Sequence, residues 1–221
     1  MAMSGPTSEQ AEAAAESAKG SRFSALLYDP FMWWTERAGM AERRRRLVSE
    51  ARGSVLELGA GTGLNLAHYP KGLDRLALAE PEPNMAERLR RRAARLGRQV
   101  EIVRAPGEML PFDDDSFDTV VSTLVLCTVS DPGRTLAEVR RVLRPGGSLL
   151  FLEHVRSEDP GLARRQDRLH GIWKSFGDGC NCNRETLATI EAAGFDVAGA
   201  ERAEWRRVPS IVRPLVSGSA S

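Results

Sequence analysis

"VLELGAGTGLNLAHYP", residues 55–70, is a short apolar run that ends in three glycines on alternate positions, Gly59, Gly61 and Gly63. A strand that stops in a glycine turn brings backbone N–H groups, and often a helix N-terminus, against a nucleotide. The spacing narrows which nucleotide. A dinucleotide fingerprint needs G-x-G-x-x-G, whose last glycine lets helix and strand pack closely. Here that position is Leu64 and the run is G-x-G-x-G. Glu57 precedes the turn on the same strand, so its carboxylate should point into the pocket where a pyrophosphate would lie. A carboxylate there repels phosphate and favours a cation.

The next strand, "RLALAEP", ends in Glu80, near the offset of about 20 residues at which an acid accepts hydrogen bonds from both ribose hydroxyls. An adenosine without phosphate that carries a sulfonium and an ammonium is S-adenosylmethionine. The missing last glycine and Glu57 count against a nicotinamide oxidoreductase.

Outward from this turn, strand and helix alternate. "SVLELG" is the first strand and "LNLAHY" opens the helix after it; His68 and Tyr69 close that helix and read as structural. "NMAERLRRRAARLG" reads as a helix and "QVEIVRA" as the third strand. "DDDSFDTVVSTLVL" is a turn running into a central strand, and "GRTLAEVRRVLRPGG" an amphipathic helix closed by Pro-Gly-Gly. "SLLFLEHV" is the fifth strand. "LARRQDRLHGIWKSFGDG" and "NRETLATIEAAGF" look helical, and "DVAGAERAEW" and "SIVRPLVSGSA" look like strands that pair antiparallel at an edge. The expected fold is α/β: a doubly wound, Rossmann-like, mostly parallel seven-stranded sheet, its last strands antiparallel at one edge. An N-terminal helical lid over residues 22–50 is expected.

The 221 residues carry 31 Lys+Arg against 30 Asp+Glu, a formal net charge of +1. That balance argues against a nucleic-acid partner. The basic runs at 42–48 and 88–98 read as solvated helix faces, with contact to an anionic substrate or a lipid headgroup as the alternative. Three cysteines and no secretory segment imply reduced thiols and a cytoplasmic setting. The expected organisation is a flexible, partly helical polar tail over 1–21 and one domain over 22–221. Within that domain, 53–155 is the cofactor-binding core, and 156–221 holds acceptor-side helices and edge strands.

"VLELGAGTG", "AEPEPNM", "LPFDDDSFDTVVSTLVL" and "LRPGGSLLFLEHV" together resemble the successive motifs of class I S-adenosylmethionine-dependent methyltransferases of the type 11 group. The resemblance implies that Glu57, Gly59, Ala60, Gly61, Gly63 and Asn65 hold the methionine part and the sugar. Glu80 would bind the ribose, Pro81 and Met85 would flank the adenine, and Gly107, Glu108 and Met109 would meet its edge. Pro106 stands where the usual pattern has Asp. Thr123 and Leu124 would lie beside the methyl group.

A narrower likeness rests on "GTGLNLAHYP", "STLVLCTVSDPGRTLAEVRRVLRPGGSLLFLEHV" and "WKSFGDGCNCNRETLATIEAAGF", which resemble the alkyl thiol methyltransferases of microsomes. Those relatives begin with an apolar anchor, whereas this chain begins with a polar stretch. The likeness implies methyl transfer to a small, largely apolar acceptor, a thiol first, with a quinone carbon, a secondary-metabolite hydroxyl or a phospholipid amine as the alternatives. A non-catalytic cofactor-binding module is the rival of another class.

His154, at the end of the fifth strand, is the candidate base, against a strand-end histidine that merely bonds a loop. Glu153 would orient it or face the other way. Tyr28, Trp34, Cys127, Asp178 and Cys180 are candidate acceptor-pocket residues. Phe23, Phe31 and Trp33 belong to the same aromatic group, which either roofs the acceptor or packs on the sheet. Cys127 also fits a small buried hydrophobe, and the Asp178-Gly179 turn a helix cap. No metal site is expected of Cys180 and Cys182, because C-x-C has no second pair or histidine nearby in sequence.

Overall fold

Strands buried on both faces belong at the centre of a parallel sheet, as β1 (Ser54–Leu58) and β4 (Phe117–Thr123) do. The computed structural model describes residues 6–17, 39–177, 179–206 and 208–221. In it β1 and β4 lie side by side, flanked by β2 (Arg75–Ala79), β3 (Glu101–Val103) and β5 (Leu143–His154), all parallel. β7 (Pro214–Ala220) runs antiparallel to β5, and β6 (Glu201–Glu204) antiparallel to β7. The order β3-β2-β1-β4-β5-β7-β6 reverses direction between β1 and β4, and ligands of open α/β sheets bind at such a switch point.

Alternation along the strands divides the core. Val55, Val121 and Leu150 face α2 (Ala41–Val48) and α3 (Pro83–Arg95), packing with Leu47, Val48 and Leu89. Leu56, Val120 and Phe151 face α4 (Pro132–Val142) and α6 (Thr186–Ala192), packing with Leu136, Val139 and Ile190. α5 (Pro160–Phe176) leads from β5 toward the last helix and strands. Within the span read as a tail, α1 (Ser8–Ser17) is a helix whose Ala11 and Ala15 are buried one turn apart.

Two local expectations need correction. After β1 the chain does not enter an α-helix. It winds in consecutive turns, Gly63 N donating to Ala60 O at 2.9 Å and His68 N to Asn65 O at 2.8 Å. Asn65 is turned inward there and spends its side chain on buried partners. α4 stops at Val142, not at Pro-Gly-Gly, because Leu143 is already extended and pairs with Phe117 as the start of β5. Among the described residues, no helix is long and apolar enough to cross a membrane. Phe23, Tyr28, Phe31, Trp33 and Trp34, the aromatic part of the expected lid, lie outside the described residues.

Candidate active site

A cavity of about 870 Å³ opens over the C-terminal ends of β1, β2, β4 and β5. One wall is acidic and glycine-lined, from Glu57, Gly59, Ala60, Gly61 and Glu80, with Pro81, Met85, Gly107, Glu108, Met109, Thr123 and Leu124 around it. Glu57 is buried and accepts from Asn65 Nδ2 at 2.8 Å and Tyr69 Oη at 2.9 Å. Burial lifts its carboxyl to about 7, against the opposing pull of those hydrogen bonds and of Arg44. Tyr69, read as merely structural, therefore holds the acid of the first motif.

Glu80 is fixed by the backbone, its two oxygens accepting from Gly61 N at 2.7 Å and Glu82 N at 2.9 Å. The carboxylate is thus set at the cavity wall as an acceptor. Gly61 has φ +55°, and a Cβ built there meets only Gly59 O at 4.0 Å, so the glycine keeps this side of the turn bare. Glu108 accepts from Ser130 N at 2.9 Å and Asp131 N at 3.2 Å, tying its loop to the start of α4. Leu124 closes the wall with φ +60°, a left-handed backbone held by its N–H to Leu152 O at 2.8 Å.

Two residues expected to touch cofactor stand behind this wall. Gly63 faces away from the cavity: a Cβ there would lie 2.6 Å from Leu89 Cδ1 and 2.8 Å from Leu66 Cδ1, so Gly63 lets α3 pack close. Asn65 is fully buried and links Glu57 to Thr123, donating to Thr123 Oγ1 at 3.0 Å. The same cluster holds a residue the sequence reading missed. Arg44, inside the run taken as a solvated face, is buried, lines the cavity, and donates to Asn65 Oδ1 at 3.2 Å and Thr123 Oγ1 at 2.9 Å. Its phase was available: Met40, Arg44, Leu47 and Val48 fall on one helical face, and all four are buried.

The facing wall carries Cys127, His154 and Cys180, with Trp173 and Trp205. His154 stacks on Trp205 with ring centroids 5.9 Å apart. Its Nδ1 lies 3.4 Å from Cys180 Sγ and 3.7 Å from Cys127 Sγ, and its Nε2 is buried without a protein partner. The two sulfurs are 3.7 Å apart. The hydrogen bond between them holds the Cys127 thiol high and, helped by His154, draws Cys180 below the usual thiol range. Cys182 is not part of this group, and burial pushes its thiol up to about 12. The C-x-C pair is thus split, and Cys180 finds its partners in distant segments.

Glu153 faces away from His154. It accepts from Ser122 Oγ at 2.7 Å, Val125 N at 3.0 Å and Cys127 N at 3.1 Å, and so fixes the loop that carries Leu124 and Cys127. The stretch around Cys180 is clamped onto that loop. Asn181 N and Nδ2 both donate to Cys127 O, at 2.7 and 3.1 Å, and Arg184 Nη1 donates to Leu126 O at 2.7 Å. Asp178 lies outside the described residues.

Fold and cavity together define an S-adenosylmethionine-dependent class I methyltransferase, and the comparisons agree. Residues 56–151 match the family model described as a methyltransferase domain. The chain is 41% identical over 176 residues to human thiol S-methyltransferase TMT1B, covering 74% of this chain and 71% of that protein. It is 37% identical over 194 residues to human thiol S-methyltransferase TMT1A, covering 82% and 79%. The crystal structure of a SAM-dependent methyltransferase from Thermotoga maritima superposes with a TM-score of 0.66 at 23% identity, over 90% of this chain and 97% of that one. The chain belongs to the methyltransferase family that includes TMT1A and TMT1B.

Proposed function

We propose that this enzyme methylates the sulfur of a small, largely apolar thiol. The observation that carries the reading is that the acidic glycine wall and the Cys127–His154–Cys180 wall open onto one cavity. The family relatives named as thiol S-methyltransferases support the choice of acceptor.

When bound, S-adenosylmethionine supplies an electrophilic methyl on a sulfonium. In this reading Glu80 holds the ribose hydroxyls and Gly59, Ala60 and Gly61 leave room for the sugar and the methionine part. Pro81, Met85 and the 107–109 loop enclose the adenine. Ionised Glu57 attracts the cationic end, while Arg44 and Asn65 hold it in place. Thr123 and the strained Leu124 sit where the two walls meet, beside the transferring group. In-line placement of donor and acceptor supplies much of the acceleration, and a thiol, with a pKa of about 8.5, needs only modest help to ionise. His154 is the group that receives or shares that proton. Trp173 and Trp205 supply the apolar surface that a small organic thiol requires. Three buried thiols with no disulfide fit a reducing compartment, so a cytoplasmic setting is proposed.

The test is S-adenosylhomocysteine formation by the purified chain with S-adenosylmethionine and a panel of alkyl thiols, a quinol, phosphatidylethanolamine and a phenol. Turnover confined to the thiols is expected. Turnover on another acceptor would replace the thiol, and cofactor binding with no turnover on any would favour a non-catalytic module.

A further inference from the structure

Three atoms of metal-ligand type, from segments far apart in sequence, meet on the acceptor wall. They are Cys127 Sγ from the loop after β4, His154 Nδ1 from the end of β5, and Cys180 Sγ from the loop after α5, all buried. Their separations are 3.7 Å between the sulfurs, 3.4 Å from Nδ1 to Cys180 and 3.7 Å from Nδ1 to Cys127. A tetrahedral zinc with Zn–S about 2.3 Å and Zn–N about 2.0 Å sets S···S at about 3.8 Å and S···N at about 3.5 Å. The observed triangle has the edges of one face of that tetrahedron. A disulfide would bring the sulfurs to about 2.05 Å, so the two thiols are not bonded to each other. All three residues line the cavity.

The three segments that carry the triangle are tied down by their neighbours. Glu153 holds the Cys127 amide, Asn181 clamps the Cys180 loop to Cys127 O, Thr186 Oγ1 donates to His154 O at 2.9 Å, and Trp205 backs the imidazole. These contacts fix the backbone of the three segments and so hold the triangle's geometry.

We propose that Cys127, His154 and Cys180 bind a thiophilic divalent cation, zinc by preference, and that its open fourth position takes the acceptor thiol. The second half rests on the thiol reading above; the first half does not. The thiol displaces a bound water and releases its proton to solvent, because a coordinated thiol is deprotonated at neutral pH. Its sulfur lone pair forms the new S–CH3 bond as the bond from methyl to sulfonium breaks. That electron pair stays with S-adenosylhomocysteine, and the neutral thioether, a poorer ligand, leaves the metal. With the metal bound, His154 is a ligand and solvent takes the proton; the base role given to it above belongs to the metal-free site.

The test begins with the full chain purified without chelator and assayed for metal, then stripped and titrated with Co(II). About one zinc per chain is expected, with intense sulfur-to-cobalt absorption and tetrahedral visible bands. Cys180→Ser and His154→Ala are each expected to weaken zinc by roughly 100-fold or more while binding S-adenosylhomocysteine like the parent, which shows that they are folded. Zinc absent and a Co(II) spectrum without sulfur bands would overturn the site. Thiol turnover undiminished in metal-free protein would overturn its role and leave the thiol reading standing. A sulfur-ligated Co(II) site whose spectrum no thiol perturbs, in an enzyme that turns over no thiol, would uphold the metal and remove the acceptor.

Discussion

At Glu57 burial and charge pull in opposite directions, and the cofactor decides the outcome. With the cavity free, burial raises the carboxyl from 4.5 to about 7. The folded protein then prefers the neutral form, so the contribution of this residue to stability is fully present below pH 4.5 and is lost as pH rises through about 7. A cation in the cavity reverses that preference and expels the proton. The affinity for S-adenosylmethionine is therefore expected to rise roughly tenfold between about pH 6 and about pH 8, with proton release on binding. Calorimetry in two buffers of different ionisation enthalpy measures both. Glu57→Gln is expected to bind more weakly and without this pH dependence. A flat profile for the parent protein would assign the cation's partner to another group.

Three helices begin with the same device: an acid that caps the first turn, followed by proline. Glu82 accepts from Met85 N at 2.6 Å at α3, Asp131 from Arg134 N at 2.9 Å at α4, and Asp159 from Leu162 N at 2.7 Å at α5. Asp159 is exposed and off the cavity, so Asp159→Ala isolates the cap. It is expected to cost about 1 kcal/mol and to lower Tm by about 2–4 °C, with S-adenosylhomocysteine affinity unchanged. A thermal melt and a titration check it, and a change in affinity would mean that α5 is coupled to the cofactor wall. Elements also set how much could be read in advance. Strands β1, β4 and β5 were legible because burial on both faces leaves short, dense apolar stretches bounded by turn residues. The turns after β1 were not, since Asn65 forgoes a helix for a buried bond to Glu57 that no local pattern announces. Arg44 was hidden by composition, which treats four consecutive arginines alike, although its phase with Met40, Leu47 and Val48 separates it. The acceptor wall was legible only residue by residue. His154, Cys127 and Cys180 could each be singled out, but sequence proximity pairs Cys180 with Cys182, and only the clamp of Asn181 and Arg184 on the β4 loop brings it to Cys127.

At the scale of the whole chain, the cavity is where two parts of the sequence close on each other. Residues 57–109 supply nearly all of the acidic wall, while 127, 154 and the segment from 173 onward supply the facing one. A ligand that fills the space stabilises the folded chain by mass action, because the unfolded chain has neither wall. At about 100 times its Kd that term is about 2.7 kcal/mol, which for a chain of this size raises Tm by about 5–10 °C. S-adenosylhomocysteine is expected to produce that shift in differential scanning calorimetry. NAD is expected to produce none at the same concentration, since Glu57 meets its pyrophosphate with negative charge and Leu64 replaces the glycine its turn requires. A shift with NAD would mean that the turn accepts phosphate in spite of Glu57, and the charge argument for a cationic nucleotide would fall. A shift with S-adenosylhomocysteine that persists in Glu57→Gln but vanishes in Glu80→Ala would place most of the binding energy on the ribose and leave Glu57 to set its pH dependence.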